Sequence, residues 1–518
     1  MPIQSIADIV RTHSEERPDA VAIIYGDERL TWRQLDEASS RLAHAMTEAG
    51  VGAGDRVARI EKNAPDYFEL AFAAAKLNAI LVDVNWRLAP PEKRQIVDDA
   101  GAKLLFLGGD FAGERETIES GADALTATIG LGASDGSVPS LADWSSTHGN
   151  DDPGAASDTD DVCLQLYTSG TTGLPKGVML SNANLFSFID EVPRRWAFTP
   201  ESVSHVVMPT FHVAGSGWGL LTLAMGSQMV LDRDVDPSAI LREIEEHGIT
   251  HAIYVPAVLA FLQIVPDAAD HDLSSMELVA YGAAPITEDV LRGAMAQFGS
   301  AGFAQVYGLT ETTGAIFELP PEDHDPEGRP ELLRSAGQPY PWIEMRIVGD
   351  DGEEVAEGEV GELWVKGVQI MVGYWNKPEE TARALDDDGW FRTGDAGYAK
   401  DGYLYLHDRV KDMIVTGGEN VYPAEVENAV MGCPGVNDVA VIGIPDKKWG
   451  EAVKAIVVKG EEDVAAEDVI AWARERIAGF KVPKTVDFVD ELPRNPSGKL
   501  LKKDLRAPYW EGQERQIG

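Results

Sequence analysis

The stretch VCLQLYTSGTTGLPKG, Val162–Gly177, contains the change of texture that decides the fold. Its first part is a short apolar run with the length of a buried strand. Its second part, YTSGTTGLPKG from Tyr167 to Gly177, is built mainly from Gly, Ser, Thr and Lys. Such a loop offers backbone N–H groups, hydroxyls and one ammonium, the donors a polyphosphate needs. It is not a Walker motif, which wants Ser or Thr after the lysine, because Gly177 follows Lys176. Gly170, Gly173 and Gly177 permit close backbone approach, while Thr168, Ser169, Thr171 and Thr172 supply hydroxyls. Pro175 stiffens the chain ahead of Lys176. The competing reading is a plain polar turn.

From Val162 to Thr310 the same pattern recurs: a short apolar run ends in Gly, Pro or a hydroxyl residue, and an amphipathic segment follows. HVVMP, AIYVP, LVAYG and FAQVYG are such runs. DPSAILREIEEHG has Asp236 as N-cap, Pro237 at the first helical position and Gly248 as the stop, and Ile286–Gly299 reads as a further helix. Alternation at this spacing predicts βαβ units and a mostly parallel sheet, with ligands beyond the carboxyl ends of its strands. The expected fold is therefore α/β, with a large N-terminal domain over residues 1–410. Within it, EMRIVGDDGEEV carries an Asp351-Gly352 hairpin signal, and a small β-rich subdomain is expected over about 335–405. A small mobile α+β domain is expected over 411–518, and the acidic, Ser/Gly-rich stretch Gly132–Asp161 reads as a surface connection.

The 518 residues carry a net charge of −42, which disfavours nucleic acid and anionic membrane surfaces as partners. An anionic ligand must then meet a locally basic site. The two cysteines, Cys163 and Cys433, form no CxxC pair and no zinc pattern. The N-terminus reads as an amphipathic helix, and the most apolar stretch, Gly217–Leu231, is too short to span a bilayer. A cytoplasmic protein without an integral membrane segment is expected. The sequence leaves the oligomeric state open, a homodimer included.

Further motifs follow in one order: FHVAG at Phe211, YGAAP at Tyr281, YGLTE at Tyr307, FRTGD at Phe391, DRVKDMIVTGGENVYPAEVE at Asp408 and PRNPSGKL at Pro493. With the opening loop, this set resembles the adenylate-forming superfamily of acyl-CoA synthetases, adenylation domains and luciferases, over nearly the whole chain. One departure is Ala283, where Gly is the commoner family residue.

The resemblance implies a two-step reaction using ATP, magnesium and, as a substrate, coenzyme A. A carboxylate first attacks the α-phosphorus of ATP to give an acyl-adenylate and pyrophosphate, so cations and dipoles must face the developing charge. By the resemblance, Glu311 holds magnesium and Thr310 touches phosphate; read alone, Glu311 is a helix N-terminal acid. Gly282, Ala283 and Ala284 line the adenine, Asp395 holds the ribose hydroxyls, and Arg409 contacts ribose or phosphate; Tyr307 packs on the base or is a buried strand-end residue, and read alone Asp395 is a β-turn acid. Lys499 bridges the substrate carboxylate and the α-phosphate; from charge alone it is a solvated lysine.

In the second step a thiol attacks the mixed anhydride. The resemblance makes Lys411 a hinge and places Gly417, Gly418 and Glu419 along a tunnel for coenzyme A. His212, Trp218, Tyr281 and Gly282 belong to the implied acyl pocket. Trp218, if it lines that pocket rather than the core, shortens it and favours medium-chain or aryl acids. The expected activity is that of an acyl-CoA synthetase. The competing readings are a stand-alone adenylation enzyme that loads a carrier protein, a non-catalytic acyl-adenylate or nucleotide sensor, and a luciferase-like oxygenase.

Overall fold

The structure, a computed structural model, describes residues 3–510 except 133–135, 170–174, 285, 350, 410–411, 417–418, 447–448, 461, 478 and 495–499, and only the backbone of 169, 407–409, 415, 419–420 and 450. The chain forms two compact units, Met1–Glu344 with Lys366–Phe391, and Met345–Val365 with Arg392–Gly518. The fold is mixed α/β, with parallel sheets in the large N-terminal part and a smaller C-terminal domain.

In the first unit the described residues form two sheets. The larger runs parallel through Gly302–Leu309, Leu278–Gly282, His251–Tyr254, Val203–Val206, Gln228–Leu231 and Val21–Tyr25. Antiparallel strands Gly314–Leu319 and Glu28–Thr31 flank that run. The second sheet runs parallel through Val162–Ser169, Ile80–Asp83, Arg56–Ile60, Ala102–Gly108 and Ala127–Leu131. Leu278–Gly282 is buried along its whole length, as a strand covered on both faces must be.

The helices form where the spacing predicts. Pro237–His247 starts on Asp236, whose Oδ1 accepts from the amides of Ser238 and Ala239 at 3.0 and 3.3 Å, and ends at Gly248 with φ +62°. Its Ile240, Leu241 and Ile244 enter the core beside Val279 and Leu291, each such side chain contributing roughly 1.5–3 kcal/mol. Two segments depart from strand–helix alternation. After Val162–Ser169 the chain returns as the antiparallel strand Pro175–Ser181, and after Gly302–Leu309 it returns as Gly314–Leu319. Val178, Leu180, Ile316 and Phe317 are buried there and need a sheet neighbour more than a helix would.

In the second unit, Gly450–Lys459 pairs antiparallel with Val436–Asp446 and parallel with Thr485–Val489. Helices Pro423–Met431 and Ala466–Arg474 pack Val426, Val430, Val469 and Ala473 into the core of this sheet. A separate four-stranded sheet has the order Ile343–Val348, Gly361–Gly367, Phe391–Lys400, Tyr403–Arg409. The expected hairpin signal forms a turn, with Gly352 at φ +82° and the Gly349 amide donating to Glu353 O at 2.9 Å.

A buried polar cluster joins the two sheets of the first unit at their carboxyl ends. Arg59, on Arg56–Ile60, meets Asp66 at 2.6 Å and Asp83 at 3.0 Å, and also donates to the carbonyls of Glu61 and Lys62. Asp83 accepts in turn from Thr210 Oγ1 at 2.6 Å, and Asn63 bonds the Met208 carbonyl and the Thr210 amide. Burial opposes the charge of Arg59, but the two carboxylates overcome this and hold the guanidinium above its ordinary range. Removing one partner of such a pair strands the other in a dry interior. Arg59→Met is expected to cost about 3–5 kcal/mol, read as a lower denaturant midpoint, with partial recovery when Asp83→Asn is added.

Candidate active site

The carboxyl ends of the parallel strands bring part of the motif set together in the first unit. Thr168 faces Lys176 across the hairpin that follows Val162, and Ser169 faces Pro175. Gly170, Thr171, Thr172 and Gly173 lie outside the described residues. The Lys176 ammonium sits 4.7 Å from the centre of the Tyr374 ring. The Tyr374 hydroxyl donates to Glu311 Oε1 at 2.9 Å. One aromatic side chain therefore stands between the loop cation and the carboxylate. Tyr374 went unnoticed in the sequence because only a Gly-Tyr pair at the end of a short strand marks it.

Glu311 lies on the single turn Thr310–Thr312, between two antiparallel strands. Thr312 Oγ1 accepts from the Leu309 amide and donates to Gly314 O, and the Met371 amide donates to Glu311 O at 2.8 Å. The turn is thus braced on both sides. Glu311 Oε2 makes no hydrogen bond among the described residues, which leaves one carboxylate oxygen for a cation. Magnesium asks little more of a protein when phosphates supply the rest. No cluster of three or more metal-ligating side chains occurs among the described residues. Tyr307 is half-buried and meets Phe317 edge-on at 5.8 Å.

Strand Leu278–Gly282 ends against its neighbour. A Cβ at Gly282 would lie 2.1 Å from Val306 O, so only glycine fits. Ala283 follows at φ +65°, in the left-handed region that an L side chain resists, and Ala284 is half-buried. The backbone demand explains why glycine is the commoner residue at Ala283. Tyr281, expected in the acyl pocket, is instead a fully buried core residue whose hydroxyl bonds His324 Nε2 at 2.9 Å.

His212 precedes helix Val213–Ala224, and its carbonyl accepts from the amide and hydroxyl of Ser216. Gly215 lets this helix start directly on the strand end, since a Cβ there would lie 2.3 Å from the carbonyls of Met208 and Pro209. His212 Nε2 is enclosed with no partner among the described residues. Burial, helped by the charge of Arg87, pushes the imidazole down to about 4. His212 lies next to Val213, where the wall of a cavity of about 150 Å³ begins. Trp218, Gly282, Ala283, Val306 and Gly308 line this mainly apolar space, with Arg195, Tyr340 and Trp342 also in its wall. Trp218 is at once core and lining, with an exposure of 4%.

Asp395 lies on strand Phe391–Lys400 of the second unit, buried, in register with Arg409 on the antiparallel neighbour. The side chains of Arg409 and Glu419 are not described, and Lys411, Gly417, Gly418 and Lys499 lie outside the described residues. Around them, Thr416 pairs with Glu419, and Arg494 pairs with Leu500.

Two outcomes follow from this geometry. The folded state refuses a proton at His212 that the unfolded chain accepts near 6.5, so stability falls as pH drops from about 6.5 towards 4 and is unaffected above. Histidine NMR titration should give a midpoint near 4 that disappears in His212→Gln; His324, also pushed down to about 4 by burial, should remain. Relief of the left-handed strain in Ala283→Gly should raise the denaturant midpoint by the equivalent of up to about 1 kcal/mol.

Known proteins match both units. The AMP-binding enzyme family matches residues 10–375, and the AMP-binding enzyme C-terminal domain matches 425–499. A fatty acid–[acyl-carrier-protein] ligase, ScoC, of Streptomyces coeruleorubidus is 37% identical over 99% of this chain and 98% of its own. A feruloyl-CoA synthase of an Amycolatopsis species is 38% identical over 95% and 96%. The solved structure of a Mycobacterium tuberculosis fatty acyl CoA synthetase superposes with a TM-score of 0.78 at 34% identity, covering 99% of both chains.

Proposed function

Since the chain belongs to the adenylate-forming AMP-binding enzymes and is an AMP-forming acid–thiol ligase, we propose that it activates a medium-chain or aryl carboxylic acid and transfers the acyl group to free coenzyme A. The observation that carries this choice of acid is the cavity of about 150 Å³. That is about the space a single benzene ring fills in a dry protein cavity. A long alkyl chain would need several times more.

In this reading the roles follow the motifs. Lys176 and the hydroxyls of Thr168 and Ser169 take the ATP phosphates, and Glu311 would hold magnesium through Oε2, with Thr310 beside it. The ion supplies charge neutralisation as two anions approach. Gly282, Ala283, Ala284 and Tyr307 take the base, and Asp395 and Arg409 take the ribose. Lys499 neutralises the charge that builds between carboxylate and α-phosphate. His212, held neutral by burial, orients the carboxylate as a hydrogen-bond partner and not as a cation. The 37% identity to a relative named as a fatty acid–[acyl-carrier-protein] ligase supports a second reading, in which the thiol belongs to a carrier protein.

A mass-spectrometric end-point assay tests both. ATP, magnesium and acids from acetate to palmitate, with benzoic and cinnamic acids, would be supplied with coenzyme A, with a phosphopantetheinylated carrier protein, or with neither. Acyl-CoA and AMP from a narrow set of small acids is the expected result. Thioester on the carrier alone would replace coenzyme A as acceptor, and preference for palmitate would overturn the assignment of the acid. In the same assay Lys499→Ala should slow acyl-adenylate formation by at least about 10²-fold, while thioester formation from supplied acyl-adenylate largely survives. Equal loss of both half-reactions would contradict the role given to Lys499.

A further inference from the structure

Among the described residues, the cavity wall holds two buried hydrogen-bond donors without an acceptor, on Arg195 and Trp218. Arg195 lines it; its Nη1 donates to Glu318 Oε2 at 3.0 Å, and its guanidinium lies over the rings of Tyr340 and Trp342 at 4.9 and 5.7 Å. Its Nε is enclosed with no acceptor among the described residues. Trp218 lines the same cavity with its ring 5.5 Å from those of Trp196 and Phe198, and its buried Nε1 likewise finds no acceptor. Both donors belong to the wall of one cavity, and Trp196, which follows Arg195 in sequence, packs on Trp218.

The other indoles of this wall are satisfied. Trp196 Nε1 donates to Glu318 Oε1 at 2.8 Å, and Trp342 Nε1 donates to Gln369 Oε1 at 2.6 Å. Both Glu318 oxygens are therefore engaged, and that residue has nothing left for the unused pair. Buried N–H groups without acceptors are uncommon, because each forfeits its hydration. Here both belong to residues that enclose space for an occupant. The missing acceptor is most economically an atom of that occupant.

Its charge is also constrained. Glu318 is 2% exposed and already balances Arg195, so the wall offers N–H dipoles and not an unpaired positive charge. A second carboxylate would enter this apolar space unneutralised, at a large desolvation cost. A neutral oxygen suits it.

We propose that the acid carries, away from its reacting carboxylate, a neutral acceptor oxygen such as a phenol, methoxy or ring carbonyl oxygen, and that Arg195 Nε–H and Trp218 Nε1–H read it. The inference rests on the ligase reading above. Arg195 and Trp218 are then the residues that set specificity, and a ring of benzene size with one oxygen substituent fills both the volume and the donors.

Matched pairs of acids test this on the full-length enzyme: cinnamic against para-hydroxy- and para-methoxycinnamic acid, phenylpropanoic against its para-hydroxy form, and octanoic against octanedioic acid. The readout is kcat/KM for AMP release with coenzyme A present. The oxygenated aryl acids should exceed their parents by about tenfold or more. Trp218→Phe keeps a ring and removes the N–H, and Arg195→Lys keeps a cation for Glu318 and removes the guanidinium Nε–H. Each should reduce that ratio to about threefold or less, a change that general loss of folding would not produce because both acids of a pair would suffer alike. If Arg195→Lys does not fold, Trp218→Phe decides alone. Equal use of parent and oxygenated acids, or a ratio unmoved in the variants, would overturn the inference while leaving the ligase intact. Preference for octanedioic acid would overturn the neutral acceptor, and silence with every acid would overturn the ligase reading together with it.

Discussion

The ion cluster of Arg59, Asp66, Asp83 and Thr210 fixes where everything else in the first unit can stand. Two parallel sheets have no reason of their own to present their carboxyl ends together. Here the end of one sheet, at Arg59 and Asp83, is bonded to the segment that leaves the other, at Thr210. Two residues further on is His212, and then the helix that carries Trp218. The charges are costly to bury, and they persist because each has partners at hydrogen-bonding distance. Their geometry sets the position of the cavity wall relative to the strand ends.

A second constraint acts between Lys176 and Glu311. Lys176 and Glu311 carry opposite charges at the ends of neighbouring segments, and a direct ion pair between them would satisfy both and leave nothing for a ligand. Tyr374 stands between, giving its ring face to the ammonium and its hydroxyl to the carboxylate. In the proposed role, each charge is held by a contact that phosphates or a cation would replace or extend. This is preorganisation in the ordinary sense: orientation is settled during folding and need not be bought again when the ligand arrives.

Much of this could be read from the residues alone. Periodicity and caps located the helices Pro237–His247 and Glu288–Phe298, and the apolar runs located the central strands. The described parts of the loop motif, YGLTE and the small residues after Tyr281 lie at strand ends, as their pattern marked. The antiparallel returns were not legible, because PKGVMLS begins with Pro, Lys and Gly and advertises a loop before its buried Val178 and Leu180. Tyr281 differs from its neighbours for a related reason: Gly282 and Ala283 line the cavity, while Tyr281, one position away on the strand, is buried in the core. Arg195 meets Glu318 across 123 positions and Gln369 meets Ala315 across 54, and no local pattern announces either pair.

Part of the cavity wall comes from segments, 185–196, Val213–Ala224 and 340–342, that are separate from the hairpin and turn holding Lys176 and Glu311. The two sets meet at the strand ends, where Gly282 and Ala283 line the cavity and Thr313 and Gly314 follow the Glu311 turn. Substitutions on those three segments therefore change the cavity wall at positions outside the hairpin of Lys176 and the turn of Glu311. A lineage built this way can change its diet by a few mutations without first losing its ability to activate anything, and its descendants should differ most in the acid and least in the nucleotide.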